Sequence, residues 1–221
     1  SSVDVGSFTA TTHSISDADF LAGKYNFNRN GATGSITNEG SIASGLGGYI
    51  ALLAPEVRNQ GVVVAKVGGT VAMAAGESYQ LQFNSNNQLT NVLVTPSALD
   101  TLIENGNAVQ APGGLIILSA QAASSLLGGV VKNSGSISAT GLVNDGGTIR
   151  LSASNKIELT STSSISADAA PNSAGNGGRI DIITDLSNAT GITQVDGSIS
   201  AKGGDQGGDG GFVDTSAARL V

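Results

Sequence analysis

The sequence predicts an all-β fold, a right-handed single-stranded parallel β-helix, on three observations. Two short motifs alternate along the chain, they advance by a fixed interval where nothing interrupts them, and apolar residues alternate with others inside each. The first motif is Asn-x-Gly-x-apolar-x-Ala or a relative of it, at Asn38–Ala43, Asn59–Ala65, Asn133–Ala139, Ser163–Ala167 and Asp196–Ala201. The second is a Gly-Gly pair leading into a strand, beginning at Gly47, Gly68, Gly113, Gly146, Gly177 and Gly210. Asn38 to Asn59 and Gly47 to Gly68 are both steps of 21 residues, the size of one solenoid coil.

Each part of the coil has a reason. In Thr148–Ala153 the residues Ile149, Leu151 and Ala153 fall on one side of an extended chain, so one face points into a core. A single repeat cannot bury that face, and stacking supplies both the core and the parallel hydrogen-bond ladder. Asn38, Asn59 and Asn133, each followed two residues later by Gly40, Gly61 and Gly135, mark a turn ladder in which like amides bond along the stack. The Gly-Gly pairs permit the other sharp corner. At 21 residues a coil, about ten coils would make a rod of about 45–50 Å.

Later Gly-Gly pairs are spaced by 45, 33, 31 and 33 residues, so loops or degenerate coils must fill the excess. The largest insert, Glu77 to Pro112, carries Tyr79, Leu81 and Phe83, a polar Asn84–Asn87 turn, then Leu89, Val92 and Val94. That is a hairpin near 77–95, expected beside the rod. Asn105–Ala111 reads as a worn copy of the first motif. A β-sandwich also uses many short strands but gives no reason for these recurring strings.

Composition agrees and narrows function. Glycine at 32 residues, four prolines and 4% aromatics describe short strands and tight turns. With 10 basic against 17 acidic residues, the net charge of −7 opposes binding to nucleic acid or anionic membrane surfaces. No apolar run reaches the roughly 18 residues a membrane helix needs, so no membrane insertion is expected. The absence of cysteine excludes disulfides and thiolate metal sites. No signal peptide opens at Ser1, and a truncated piece of a longer protein is expected.

Catalytic signals are weak. His13 is the sole histidine, which rules out a multi-histidine metal site within this chain, and it is expected at the surface. Gly45–Ile50 approaches a dinucleotide fingerprint but lacks its final glycine. Gly203–Gly211 resembles a calcium-binding repeat, but Phe212 stands where an aspartate is needed, so a turn loop is expected. Asp17 and Asp19 read as a solvated strand edge, and Asn188-Ala-Thr190 is an isolated glycosylation sequon. The expectation is a non-enzyme with no cofactor and no metal. The alternative is a β-helix polysaccharide lyase or hydrolase using Arg179, Asp181 and Asp185, although Asp185 lies beyond the strand that holds the other two.

Ser16–Phe27, Asn38–Ala43, Gly47–Gly61 and Gly68–Gly76, in that order, resemble the later part of the secretion domain of the filamentous haemagglutinin-like exoproteins exported by two-partner secretion. The remainder, through Gly207–Asp214, is similar to the repeats that succeed that domain. The family's amphipathic cap and Asn-Pro-Asn motifs are not present here. The resemblance implies residues 1–112 as the later secretion domain and 113–221 as continuing β-helix. It also implies export through an outer-membrane transporter of a Gram-negative cell. A family member of this kind would be a secreted or surface-displayed adhesin, a monomer and rigid stalk, meeting a host-cell, bacterial or matrix glycan or protein receptor.

Overall fold

A computed structural model describes all 221 residues, Ser1–Val221, as a parallel β-helix of triangular section. Face I contains Ser2–Val5, Ser41–Ser44, Val62–Ala65, Ala108–Gln110, Ser136–Ser138, Ser164–Ser166 and Ser198–Ser200. Face II contains Phe8–Thr11, Tyr49–Leu53, Thr70–Ala75, Leu115–Ala120, Thr148–Ala153, Arg179–Thr184 and Phe212–Ser216. Face III contains Ser35–Asn38, Glu56–Asn59, Thr101–Asn105, Gly129–Asn133, Lys156–Leu159, Ile192–Val195 and Arg219–Leu220. The chain visits faces I, II and III in turn, and every face pairs in parallel with the coil before it.

There are seven coils, not about ten, and the stack is roughly 34 Å tall at 4.8 Å per coil. The excess residues lie in corners rather than in further coils. The corner from III to I is two residues long in five of six cases, whereas that from I to II grows from residues 45–48 to residues 167–178. The longest insert, residues 76–100, sits at the corner from II to III.

Inward side chains form columns because the register is exact: Ile50, Val71, Ile116, Ile149 and Ile180 on face II, and Val57, Ile103, Val131 and Ile157 on face III. They join face I's Val63, Val109, Ile137 and Ile165 in one continuous core of 28 buried residues. Each such side chain contributes about 1.5–3 kcal/mol on burial. The second glycine of each Gly-Gly pair stacks against the one below. A Cβ on Gly114 would lie 2.1 Å from Gly69 O, and one on Gly178 would lie 1.9 Å from Gly147 O, so a side chain there collides with backbone.

Glycine serves the same end in Gly203–Gly211, which lies in the long corner loop and stacks on the loop of the previous coil. Gly204 N donates to Gly175 O at 2.9 Å and Gln206 N to Ser173 O at 2.9 Å, and Asp209 N donates to Asn176 Oδ1 at 2.7 Å.

Candidate functional site

Two features single out the N-terminal coils. The first is a buried amide column at the tight corner. Asn38 Nδ2 donates to Asn59 Oδ1 at 2.8 Å, Asn59 Nδ2 to Asn105 Oδ1 at 2.8 Å, and Asn105 Nδ2 to Asn133 Oδ1 at 2.7 Å. Asn133 Nδ2 ends the series on Ser163 Oγ at 2.6 Å. Asn59, Asn105 and Asn133 have no exposed surface, so an amide oxygen that lost its donor in the column would be left an orphaned polar atom. Gly40 N caps the column's first member by donating to Asn38 Oδ1 at 3.1 Å. Gly61 and Gly135 are required by crowding: a Cβ on either would lie 2.0 Å from the backbone of the coil below, at Gly40 O and Asn107 O. The next coil carries Leu159 in the asparagine position.

The second feature is a sheet outside the helix. Ser78–Phe83 and Leu89–Thr95 form the expected hairpin, and a third strand, Asn26–Asn28, pairs antiparallel with the first. The inner side of this sheet, with Phe27, Tyr79, Leu81, Leu89 and Val92, buries against Ala51, Leu53, Ala72, Ala74 and Ile117 on the outside of face II. The small alanines let the two layers approach. Covered on both sides, Tyr49–Leu53 and Thr70–Ala75 read as continuous apolar runs, whereas the uncovered Thr148–Ala153 alternates. That contrast was a usable signal for where the outer sheet docks.

Asp17 and Asp19, expected on an extended edge, instead open a short helix, Asp17–Leu21. Ser16 Oγ accepts from Asp19 N at 3.1 Å, and the two acids complement the positive end of the helix. His13, expected at the surface, is buried: 6% of it is exposed. Its ring lies 4.6 Å from that of Tyr79, and Nε2 donates to Gly76 O at 3.2 Å. Gly76 N donates to Tyr79 Oη at 3.0 Å, so the two aromatic side chains clasp the backbone of a single residue at the root of the hairpin. Burial pulls the His13 pKa down and pushes that of the Tyr79 hydroxyl up, keeping both neutral. Beside them Arg29 Nε meets Glu77 Oε2 at 2.9 Å, and Ser97 Oγ donates to the same oxygen at 3.2 Å. The hydrogen bond from Arg29 is the main reason the Glu77 carboxyl sits below its usual range. The arrangement fastens the outer sheet to the rod, which is a positioning task rather than a chemical one.

The residues of the enzymatic alternative are not assembled. Arg179 and Asp181 hold each other through two contacts of 2.8 Å, and the Arg179 guanidinium lies 4.5 Å over the Phe212 ring. Asp185 sits in a separate corner loop and accepts from Ser187 N at 2.9 Å. No three His, Asp or Glu side chains converge as a metal ion would require. Asn188 is engaged in its own loop, with Nδ2 donating to Ser154 O at 2.9 Å and Oδ1 accepting from Thr190 Oγ1 at 2.8 Å.

A family model described as the TPS secretion domain matches residues 1–170. Among solved structures, the secretion domain of HMW1 from Haemophilus influenzae is similar, with a TM-score of 0.63 and 22% identity over 99% of this chain and 71% of that one. At this identity the likeness is one of fold. No curated protein matches the sequence.

Proposed function

This chain belongs to the TPS secretion domain family, and from that premise we propose that it directs a longer exoprotein through an outer-membrane transporter to serve as an adhesin at the cell surface. The observation that carries the reading is the family match, which covers the coils bearing the asparagine column and the outer sheet. Residues 1–112 hold the secretion function and residues 113–221 continue the rod as a monomeric stalk. The family match crosses that line to residue 170, so the coils just beyond it belong to the same matched unit. The receptor is a host-cell, bacterial or matrix glycan or protein. A charge of −7 favours a monomer over self-association. The mutual pairing of Arg179 and Asp181 supports a non-enzymatic role, because neither is left free to act on a sugar.

The test is binding of this chain to the soluble periplasmic portion of the transporter encoded beside its gene, together with export of the exoprotein when residues 1–112 are deleted. Binding, and retention of the deleted form inside the cell, are expected. No binding together with undiminished export overturns the reading. Cleavage of any member of a panel of acidic and neutral glycans by the chain would favour the lyase or hydrolase instead.

A further inference from the structure

The cleft between the outer sheet and the rod has one-sided hydrogen-bond chemistry. It encloses about 310 Å³, within the size range of small-ligand sites, where the turn of the hairpin overhangs the outer side of face II. Asn84, Gln88 and Thr90 form the overhang, and Thr70, Thr148 and Arg150 face them from the rod.

The acceptors of the overhang are spent on the protein itself. Asn84 Oδ1 accepts from Asn86 N at 2.9 Å and from Gln88 N at 3.0 Å, and Gln88 Oε1 accepts from Asn84 Nδ2 at 3.0 Å. Leu89 O accepts the Thr70 hydroxyl at 2.7 Å, and the Thr90 hydroxyl donates to Gln82 O at 3.1 Å. Three donors lining the cleft have no partner: Gln88 Nε2, the Thr148 hydroxyl and the Arg150 guanidinium. Arg150 is exposed and takes part in none of the six ion pairs. Its register neighbours are Ile117 on one side and, on the other, Asp181, which Arg179 holds. Free donors around an unneutralised guanidinium select a ligand rich in acceptors and negatively charged, and the guanidinium fork matches the two oxygens of a carboxylate.

The backbone of the rod favours a sugar over a peptide as the bearer of that carboxylate. Gly68 N donates to Pro112 O at 3.1 Å and Gly114 N to Ala111 O at 2.9 Å, so neither lining glycine offers a main-chain N–H to a peptide backbone. With no side chains of their own, both let a flat ring come close to the rod. The chain's charge of −7 opposes polyanions in general, which confines attraction to the cleft where Arg150 stands unpaired.

We propose that this cleft binds a uronate unit of an acidic polysaccharide, its carboxylate on Arg150 and its ring or hydroxyl oxygens accepting from Gln88 Nε2 and the Thr148 hydroxyl. The inference rests on the proposed adhesive role, for which it names the chemistry of the receptor, and it concerns the folded rod after export.

The experiment titrates the 221-residue chain with tri-galacturonate, followed by calorimetry and by the amide chemical shifts of Gln88, Thr148 and Arg150. A neutral galactose trimer and tri-aspartate are the comparison ligands. Tri-galacturonate is expected to bind at least about tenfold more tightly than either and to move those three amides. Arg150→Gln is expected to weaken binding about tenfold or more and Thr148→Val about threefold, whereas Arg219→Gln, which removes an exposed cation from face III, is expected to change nothing. Equal binding of the neutral trimer or of tri-aspartate overturns the proposal, as does undiminished binding by Arg150→Gln or an equal loss in Arg219→Gln. Should Arg150→Gln not fold, Thr148→Val and the three amide shifts decide. Absence of any binding overturns the site alone; the adhesive reading falls only if the exoprotein reaches the surface and fails to attach to cells or matrix.

Discussion

Replacing Asn105 by alanine tests the amide column at its centre. Asn105 accepts from Asn59 Nδ2 at 2.8 Å and donates to Asn133 Oδ1 at 2.7 Å, and all three residues are fully buried. Truncation leaves Asn133 Oδ1 with no donor, at about 1–3 kcal/mol for an orphaned buried acceptor. Asn59 Nδ2 keeps its 3.1 Å bond to Ala108 O, so its loss is smaller, about 1 kcal/mol. The space vacated by the amide adds about 1 kcal/mol. The expected total is about 3–5 kcal/mol, a large share of the roughly 5–15 kcal/mol typical of a folded domain. With a denaturant slope of about 3 kcal/mol/M, the urea midpoint falls by about 1–1.7 M. Asn38→Ala at the column's end removes the donor to Asn59 Oδ1 and the acceptor of the partly exposed Gly40 N, and should cost about 1–3 kcal/mol. Urea titration followed by circular dichroism reads both. A loss below about 0.5 kcal/mol for Asn105→Ala, or a larger loss at Asn38 than at Asn105, refutes the claim that the column stabilises by mutual satisfaction of its amides.

Three further outcomes are expected. Gly178→Ala places a Cβ 1.9 Å from Gly147 O and should lower stability by about 1–3 kcal/mol, whereas Gly6→Ala, with nothing within 4 Å, should be nearly neutral by thermal melting. His13 has a folded pKa below its usual 6.5, lowered chiefly by burial and further by Arg29, against the opposing pull of the Gly76 hydrogen bond and Glu77, so the unfolded chain binds the extra proton more readily. Its stabilisation is therefore complete above pH 6.5 and is lost as pH falls through the folded value. The protection factors of the amides of residues 78–83, taken against the intrinsic exchange rate at each pH, should fall on acidification in wild type and less so in His13→Phe. On face III, Arg58, Glu104, Lys132 and Glu158 form a register column of alternating charge, and Arg58 contacts Glu104. Glu104→Lys should cost about 1 kcal/mol at low salt and less at high salt, since these groups are partly exposed.

The coil was legible because its most informative residues lie at corners that barely vary. Asn38 and Asn59, or Gly68 and Gly113, occupy the same places whatever is inserted between them. The number of coils was not legible, since a corner of four residues and one of twelve look alike to a motif search, and dividing the length by 21 counted loops as strands. The hairpin was visible in the alternation of Tyr79, Leu81, Leu89 and Val92. Its third strand was not, because three residues, Asn26–Asn28, are too few to show a period. His13 misled for another reason. A single histidine among Thr and Ser reads as polar surface, and only the distant Tyr79 and Gly76 bury it. The Ser16-Asp-Ala-Asp19 string carried a helix-start signal that composition outweighed.

The corner from face III to face I keeps nearly one length, while the corners from face II to face III range from two residues to the twenty-five of residues 76–100. One edge of the prism therefore runs nearly straight while the others absorb the long insertions. A gene encoding such a rod can grow by duplicating a whole turn, because the new layer meets the same Gly-Gly stack and inward columns above and below it. Length can then drift without redesign of the cross-section.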